Sequence, residues 1–430
     1  MKKTMLFIFN VFLLNVVLAE EPQKLTLSPD EIEALFLKQN LQLIAEHMNI
    51  GLANAEIIQA KLWDNPNFSI SDLNLWSTKK QRNGEKEAIP PLFGSFARNT
   101  EFSIELSQLI QISGKRRNLI HREKISKEIA IQQFEDLLRN LKLELRKSIY
   151  EILYIQSYQK ILEKQSEIFS QLLAGYKHQV TQGNFAKYEL LRLQASFFEL
   201  ENESFENQIS LNEQLRTLKT LLGAKAYDFI EIKDSERKIP SPQDMRLDEL
   251  IETALSNRPD IKSSEFQIKY FEKSLSYEKS QRIPDLTFSV HYDRFGGVWK
   301  DFVGFGISLD LPILNFNQGN IATTQIKQKQ SQYMALQQRN HTQHEIAMFF
   351  DNYLKAYDFH KKTNSDSLLE ELDNMPLYAR NLLDMKNIAM HEYIDFMDVY
   401  KANKKTLLLA KRNLNIQLEE LQHAIGLDIK

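Results

Sequence analysis

His341 and His344 stand three residues apart with Glu345 directly after them, the residue types and helical spacing from which a zinc pair is built. The order a catalytic zinc needs is missing: neither HExxH nor HxxEH is present, and no third ligand lies nearby in sequence. Two histidines on the exposed face of a surface helix account for the pattern. No Walker-type Gly-rich loop is present to hold a nucleotide. The chain has no Cys, so it forms no disulfide and offers no thiol for lipid attachment at a mature N-terminus. Positive and negative side chains nearly balance, at 54 Lys+Arg against 57 Asp+Glu, which argues against a nucleic-acid partner. The chain reads as a non-enzyme with no cofactor and no resident metal.

The N-terminus predicts export. Lys2 and Lys3 precede an apolar stretch from Met5 to Leu18, and Ala19 supplies the small residue before a cleavage site at Glu20. The stretch is too short for a membrane span, so residues 1–19 are expected to be a signal peptide rather than an uncleaved anchor. After it no run approaches the roughly 18 apolar residues of a transmembrane helix. A membrane-embedded part must then be built of β-strands.

The mature sequence falls into two copies of one pattern. Glu31-Ile32 aligns with Glu249-Leu250, Asn40-Leu41-Gln42-Leu43 with Arg258-Pro259-Asp260-Ile261, Pro66 with Pro284, Gly114 with Gly319, and Gly223 with Gly426. The first copy spans 20–223, a linker 224–246, and the second copy 247–430. Each copy is expected to run short helix, helix, strand, loop, strand, very long helix, turn, long helix.

The strands carry alternation of period two. Leu286, Phe288, Val290 and Tyr292 alternate with Thr287, Ser289, His291 and Asp293, and Val303, Phe305, Ile307 and Leu309 with Gly304, Gly306, Ser308 and Asp310. These predict strands at about 285–294 and 301–312, matched in the first copy by about 67–76 and 99–112. Phe68/Ile70 and Leu73/Leu75 lie in opposite phases, which predicts a bulge near Asp72. Four strands of spanning length cannot close a barrel, because open edges in lipid leave backbone groups unpaired. Several chains must contribute strands; the alternative is a soluble four-stranded sheet.

Two Pro-free tracts, Pro91 to Pro240 and Pro312 to Pro376, predict helical hairpins at about 115–223 and 318–426. Within the first, Ile125, Ile129, Leu137, Leu138, Leu141 and Leu145 recur at three- and four-residue steps, as antiparallel helix packing requires.

The junction Glu105-Leu-Ser-Gln-Leu-Ile-Gln-Ile-Ser-Gly114-Lys115-Arg116 resembles the strand-to-helix signature of TolC-type outer-membrane efflux factors, and most of all their heavy-metal (CzcC-like) branch. Asp310-Leu-Pro312-Ile-Leu-Asn-Phe-Asn-Gln-Gly319-Asn320 resembles the same junction in the second copy, and Tyr393-Ile-Asp395-Phe-Met-Asp398-Val-Tyr the helix start at the periplasmic tip. The resemblance implies an α+β membrane protein: a homotrimer whose four strands per protomer make a twelve-stranded outer-membrane β-barrel, continued by helical hairpins as a periplasmic α-barrel. It implies a passive duct in outer-membrane lipid, served by a periplasmic adaptor and an inner-membrane pump of the RND type. Heavy-metal cations or other small toxic solutes are the expected cargo. Multidrug export, type I protein secretion, and a periplasmic coiled-coil scaffold or adaptor are the alternatives.

The family's tip also implies a gate. Asp395 and Asp398 match its two acidic residues, a spacing of three that puts both carboxylates on one helix face. Glu189 and Arg192 are expected at the equivalent first-copy positions, His391 where relatives carry a basic gate residue, and Ala389 where Gly183 stands in the first copy. The alignment of Gly114 with Gly319 also lays Glu105 on Asp310. In a trimer these are expected to form one lumen band of six carboxylates that concentrates cations.

Overall fold

The computed structural model describes residues 24–74, 101–183, 186–234, 237–296, 299–364, 366–385 and 387–429. The signal-peptide expectation for 1–19 lies outside them, as do the strand ends expected at 75–76 and 99–100. The elements in chain order are β1 (Lys24–Leu27), α1 (Pro29–Gln39), α2 (Leu41–Lys61), β2 (Asn67–Asn74), β3 (Glu101–Ile110), α3 (Lys115–Thr181), α4 (Lys187–Leu222), β4 (Phe229–Ile232), α5 (Leu247–Asn257), α6 (Pro259–Ser280), β5 (Leu286–Gly296), β6 (Trp299–Leu309), α7 (Gln318–Thr363), α8 (Asp366–Asp384) and α9 (Met390–Ile425).

Local chemistry sets the helix ends. Ser28 caps α1 through a reciprocal box: its hydroxyl accepts from Glu31 N, and Glu31 Oε2 accepts from Ser28 N at 2.8 Å. α4 ends at Gly223, whose φ of 62° is left-handed. A Cβ there would also stand 2.9 Å from the carbonyl oxygen of Gln39, so two constraints require glycine at once. Beside it Asn40 Nδ2 donates to the carbonyl of Leu221 at 2.8 Å. The second half has the same arrangement: α9 ends at Gly426, and Arg258 Nη1 donates to the carbonyl of Ala424 at 2.8 Å.

The chain divides into two compact units, α3 contributing to both. One holds the described residues within 24–40, 144–238 and 362–413. Its core joins Leu162, Phe169 and Leu172 of α3, Leu193 and Leu200 of α4, Ala379 and Leu383 of α8, and Tyr393, Met397 and Tyr400 of α9. The expected linker is not structureless. It contributes β4, which pairs in parallel with β1 from Lys24↔Phe229 to Leu27↔Ile232. Strands of four residues give too little alternation to be read from sequence.

The other unit holds the described residues within 41–143, 239–361 and 414–429. It contains a four-stranded antiparallel sheet in the order β2-β3-β5-β6. The bulge expected near Asp72 is present: the register shifts between Ser71 and Asn74, and Asp72 has φ 52°. α2 leads into the edge strand β2 and α7 follows the other edge strand β6. His47 of α2 meets Phe134 of α3 edge-to-face at 5.4 Å. Asn118 of α3 reaches Ser276 of α6, and Gln338 of α7 reaches Asp260 of α6.

The helices correct two details of the expected alignment. A shift of 203 positions carries Lys115 onto Gln318, Lys187 onto Met390 and Gly223 onto Gly426. Under it Gly114 meets Asn317 rather than Gly319. Both are left-handed, at φ 69° and 59°, directly before a helix, whereas Gly319 sits inside the first turn of α7. Asn tolerates that conformation, so matching glycine to glycine misplaced the junction by two residues. The second long helix is also not continuous as expected: α7 and α8 fill the span equivalent to α3 but break between Thr363 and Asp366.

Candidate functional site

The starts of α4 and α9 bring the expected gate residues together. Arg192 Nη2 lies 3.4 Å from Asp395 Oδ1, with both side chains more than half exposed. Asp398 stands one turn on and approaches Lys401 Nζ at 3.7 Å. Burial pushes the Asp398 carboxyl above the usual range; Lys401 opposes this, while Glu199 and Asp395 add to it. Glu189 is half-buried near Tyr176, and His391 is exposed. The pairing of Asp395 and Asp398 with Glu189 and Arg192 does not survive. Equal helices of 36 residues put Arg192 at the position of Asp395, Glu189 at that of Glu392, and Ala195 at that of Asp398. Ala389 likewise matches Ala186, each directly before its helix, rather than Gly183.

Further along the same pair of helices lies a node the sequence did not mark. Glu203 of α4 accepts from the Tyr158 hydroxyl at 2.6 Å and meets Lys401 Nζ at 3.0 Å and Lys405 Nζ at 3.1 Å. Burial alone would raise the Glu203 pKa, but these three donors outweigh it and hold the pKa at about 2. Lys405 also stands 4.8 Å from the centre of the Tyr158 ring, and Tyr158 stacks on Tyr154. Each partner lies dozens of residues from Glu203, so no local spacing could have revealed them.

The sheet separates its two faces row by row. One line across the strands is Ser69, Glu105, His291, Gly304; the adjacent line is Phe68, Leu106, Val290, Phe305. The second row is apolar and exposed, Phe305 at 84%. In the polar row the His291 ring lies across Gly304, where a Cβ would come within 2.3 Å of His291 Cε1. The single band of Glu105 and Asp310 is contradicted. β6 ends at Leu309, so Asp310 lies beyond the strand, six residues past Gly304 and roughly 20 Å along the chain from Glu105's row. The glycine-to-glycine alignment produced that error too.

The Gly114-Lys115-Arg116 motif is a tie between strands and helices. Lys115, only 4% exposed, meets Asp285 Oδ1 at 2.8 Å, and the same oxygen accepts from Ile112 N. Arg116 stacks over the Trp63 ring at 4.0 Å. The second-copy junction is looser, with Pro312 half-buried and Gly319 exposed. His341 and His344 are both exposed, and Glu345 is engaged by Arg258 at 2.7 Å. No group of three metal-ligand side chains occurs among the described residues. No described helix is long and apolar enough to cross a membrane.

The family model described as outer membrane efflux protein matches residues 34–224. The cobalt-zinc-cadmium resistance protein CzcC of Cupriavidus metallidurans is 23% identical over 228 residues, covering 53% of this chain and 54% of that protein. The chain thus spans about half the length of that relative. The structure of CusC covers 96% of both chains at a TM-score of 0.73 and 16% identity. The Campylobacter jejuni CmeC outer membrane channel covers 93% of this chain and 85% of its own at a TM-score of 0.74 and 14% identity. These solved structures establish the fold across nearly the whole chain.

Proposed function

We propose, for a chain whose residues 34–224 match the outer membrane efflux protein family, that it is one protomer of a passive efflux duct in the outer membrane. The carrying observation is that one unit is unfinished at both edges. β2 and β6 have no partner on their outer sides among the described residues. The helices continuing these edges expose apolar rows, Leu41, Met48 and Ile58 on α2 and Ile326, Tyr333 and Met334 on α7. A ring of copies satisfies strand and helix edges together. Three copies of four strands make a twelve-stranded barrel with the Phe68–Phe305 row toward lipid and the Ser69–Gly304 row toward the lumen.

A duplicated chain is supported by the shift that superposes helix starts and ends, with the Asn40 and Arg258 bonds in matching places. Arg192, Asp395 and Asp398 narrow the periplasmic end, with Glu189 and His391 beside them. A periplasmic adaptor and an RND-type inner-membrane pump supply cargo and energy. The CzcC likeness favours divalent heavy-metal cations as that cargo.

Crosslinking in native membranes should yield a trimer. A monodisperse monomer in mild detergent with full β signal would overturn the reading. Deleting the gene should sensitise cells to cobalt, zinc or cadmium; sensitivity to bulky antibiotics alone would assign the duct to multidrug export.

A further inference from the structure

Two carboxylates share one ammonium on the α4–α9 seam. Lys401 Nζ lies 3.0 Å from Glu203 Oε2 and 3.7 Å from Asp398 Oδ1, all within one unit of the fold. The division is uneven for a physical reason. Glu203 also accepts from the Tyr158 hydroxyl at 2.6 Å and from Lys405 Nζ at 3.1 Å. Charge-assisted contacts gathered on one half-buried anion reinforce each other, so Glu203 holds the lysine more closely.

What remains around Asp398 is mostly repulsive. Asp395 stands one turn before it on α9, and Glu199 acts on it from α4. The neighbouring groups bring no cation to offset them. On α3, Tyr158 is neutral and Gln165 bonds the Met397 carbonyl. Arg192 is paired with Asp395, and Asp373 of α8 is held by Lys404. Lys401 is the cation that reaches Asp398, and Glu203 has first claim on it.

We propose that Glu203 is a positioning residue for Asp398: it holds Lys401 back from that carboxylate and so sets the charge Asp398 carries, without itself lying at the aperture. Its bearing on conductance rests on the reading of Asp398 as a gate residue; the coupling itself is measurable on the side chain. Full-length protein in mild detergent is treated with a water-soluble carbodiimide and glycinamide, which consume carboxyls in their protonated form. Peptide mass spectrometry follows labelling of Asp398 from about pH 4 to about pH 8. In Glu203→Gln the labelling midpoint should fall by about one pH unit or more, because Lys401 is released to Asp398. Glu203→Asp keeps the anion but draws it back by one methylene, so its midpoint should lie between those of Glu203→Gln and the parent.

Two controls separate this from general loosening. Lys405→Met weakens the same node without releasing Lys401 and should not lower the midpoint. In a Lys401→Met background, Glu203→Gln should lose its effect. An unshifted midpoint in Glu203→Gln would overturn the proposal, as would an equal fall in Lys405→Met or a fall that persists without Lys401. Where Glu203→Gln fails to assemble, an unshifted midpoint in Glu203→Asp overturns it instead. Single-channel recording then tests the gate separately: the pH at which acid lowers conductance should move down with the labelling midpoint. A shifted midpoint with unchanged conductance leaves the role of Glu203 standing and removes Asp398 from the aperture.

Discussion

α3 and the α7–α8 pair occupy equivalent spans, yet one is a continuous 67-residue helix and the other is broken. In the first, Lys160-Ile-Leu-Glu-Lys-Gln165 is a run of good helix formers. The equivalent stretch ends in Thr363-Asn-Ser-Asp-Ser367, residues whose side chains compete for backbone groups and favour caps over helix interiors. Pro376 lies inside α8 where α3 has Leu173, and it removes one more helical hydrogen bond. The same length can thus be spanned by a rod or by an articulated pair, and the choice is made by a few side chains rather than by the hydrophobic stripe.

The largest expected effect breaks this comparison directly. Glu163 and Asp366 are equivalent by position, but Glu163 lies in mid-helix and exposed, whereas Asp366 is the first residue of α8. Proline removes a bond and clashes in a helix interior but suits a first turn. Glu163→Pro should cost about 3 kcal/mol or more, and Asp366→Pro less than about 1 kcal/mol. Denaturant unfolding of the detergent-purified protein reads both. Equal costs would mean that the break is not a property of the α7–α8 span.

A smaller effect sharpens the contrast between α4 and α9. Glu203 is the centre of the Tyr158–Lys401–Lys405 node, while Thr406, at the matching position, is exposed and donates to Ala402 of its own helix. Glu203→Gln should destabilise by about 2–3 kcal/mol, leaving Lys405 without its anion and Lys401 with only the longer contact to Asp398; Thr406→Ala should be nearly neutral. The folded-state pKa of Glu203 is depressed to about 2. Its stabilisation is therefore complete above the ordinary glutamate pKa and is lost as pH falls from about 5 toward 2. Unfolding of the parent followed over that range should show the loss, and Glu203→Gln should flatten it.

How far the sequence showed these features depended on whether the signal was local. Alternation at 286–293 and 303–310, the phase conflict at Asp72 and the helix-forming tracts are local, and the structure has strands, bulge and helices there, with the break between Thr363 and Asp366 the exception. The partners of Glu203, Lys115 and Arg116 lie across the fold and left no trace in spacing. The misplacements of Gly319 and Asp310 share one cause. Glycine is not the sole marker of left-handed backbone, since Asn317 adopts that conformation where Gly114 does. The tip pairs are displaced separately, by three positions from the shift that superposes the helix starts.

The smallest stability change should accompany the clearest change in function. The Arg192–Asp395 pair is more than half exposed on both sides, so Arg192→Ala or Asp395→Ala should alter unfolding by less than about 1 kcal/mol. If these residues narrow the aperture, each variant should still raise single-channel conductance, and Asp395→Ala with Asp398→Ala should raise it further. The equivalence of Arg192 and Asp395 adds a charge swap: Arg192→Asp with Asp395→Arg restores the pair in reverse and should return conductance toward the parent. Asp398 supplies the pH dependence. Its carboxyl is raised above the usual range by burial and by Glu199 and Asp395, so this arrangement favours its protonated form. As pH falls through the upper end of the carboxylate range, Asp398 takes up a proton and the repulsion among these acids is relieved. Conductance of the parent should then fall, while Asp398→Asn should respond little over the same range. Conductance that rises on acidification, or a charge swap that leaves the channel as leaky as the single variants, would place the constriction elsewhere than at the starts of α4 and α9.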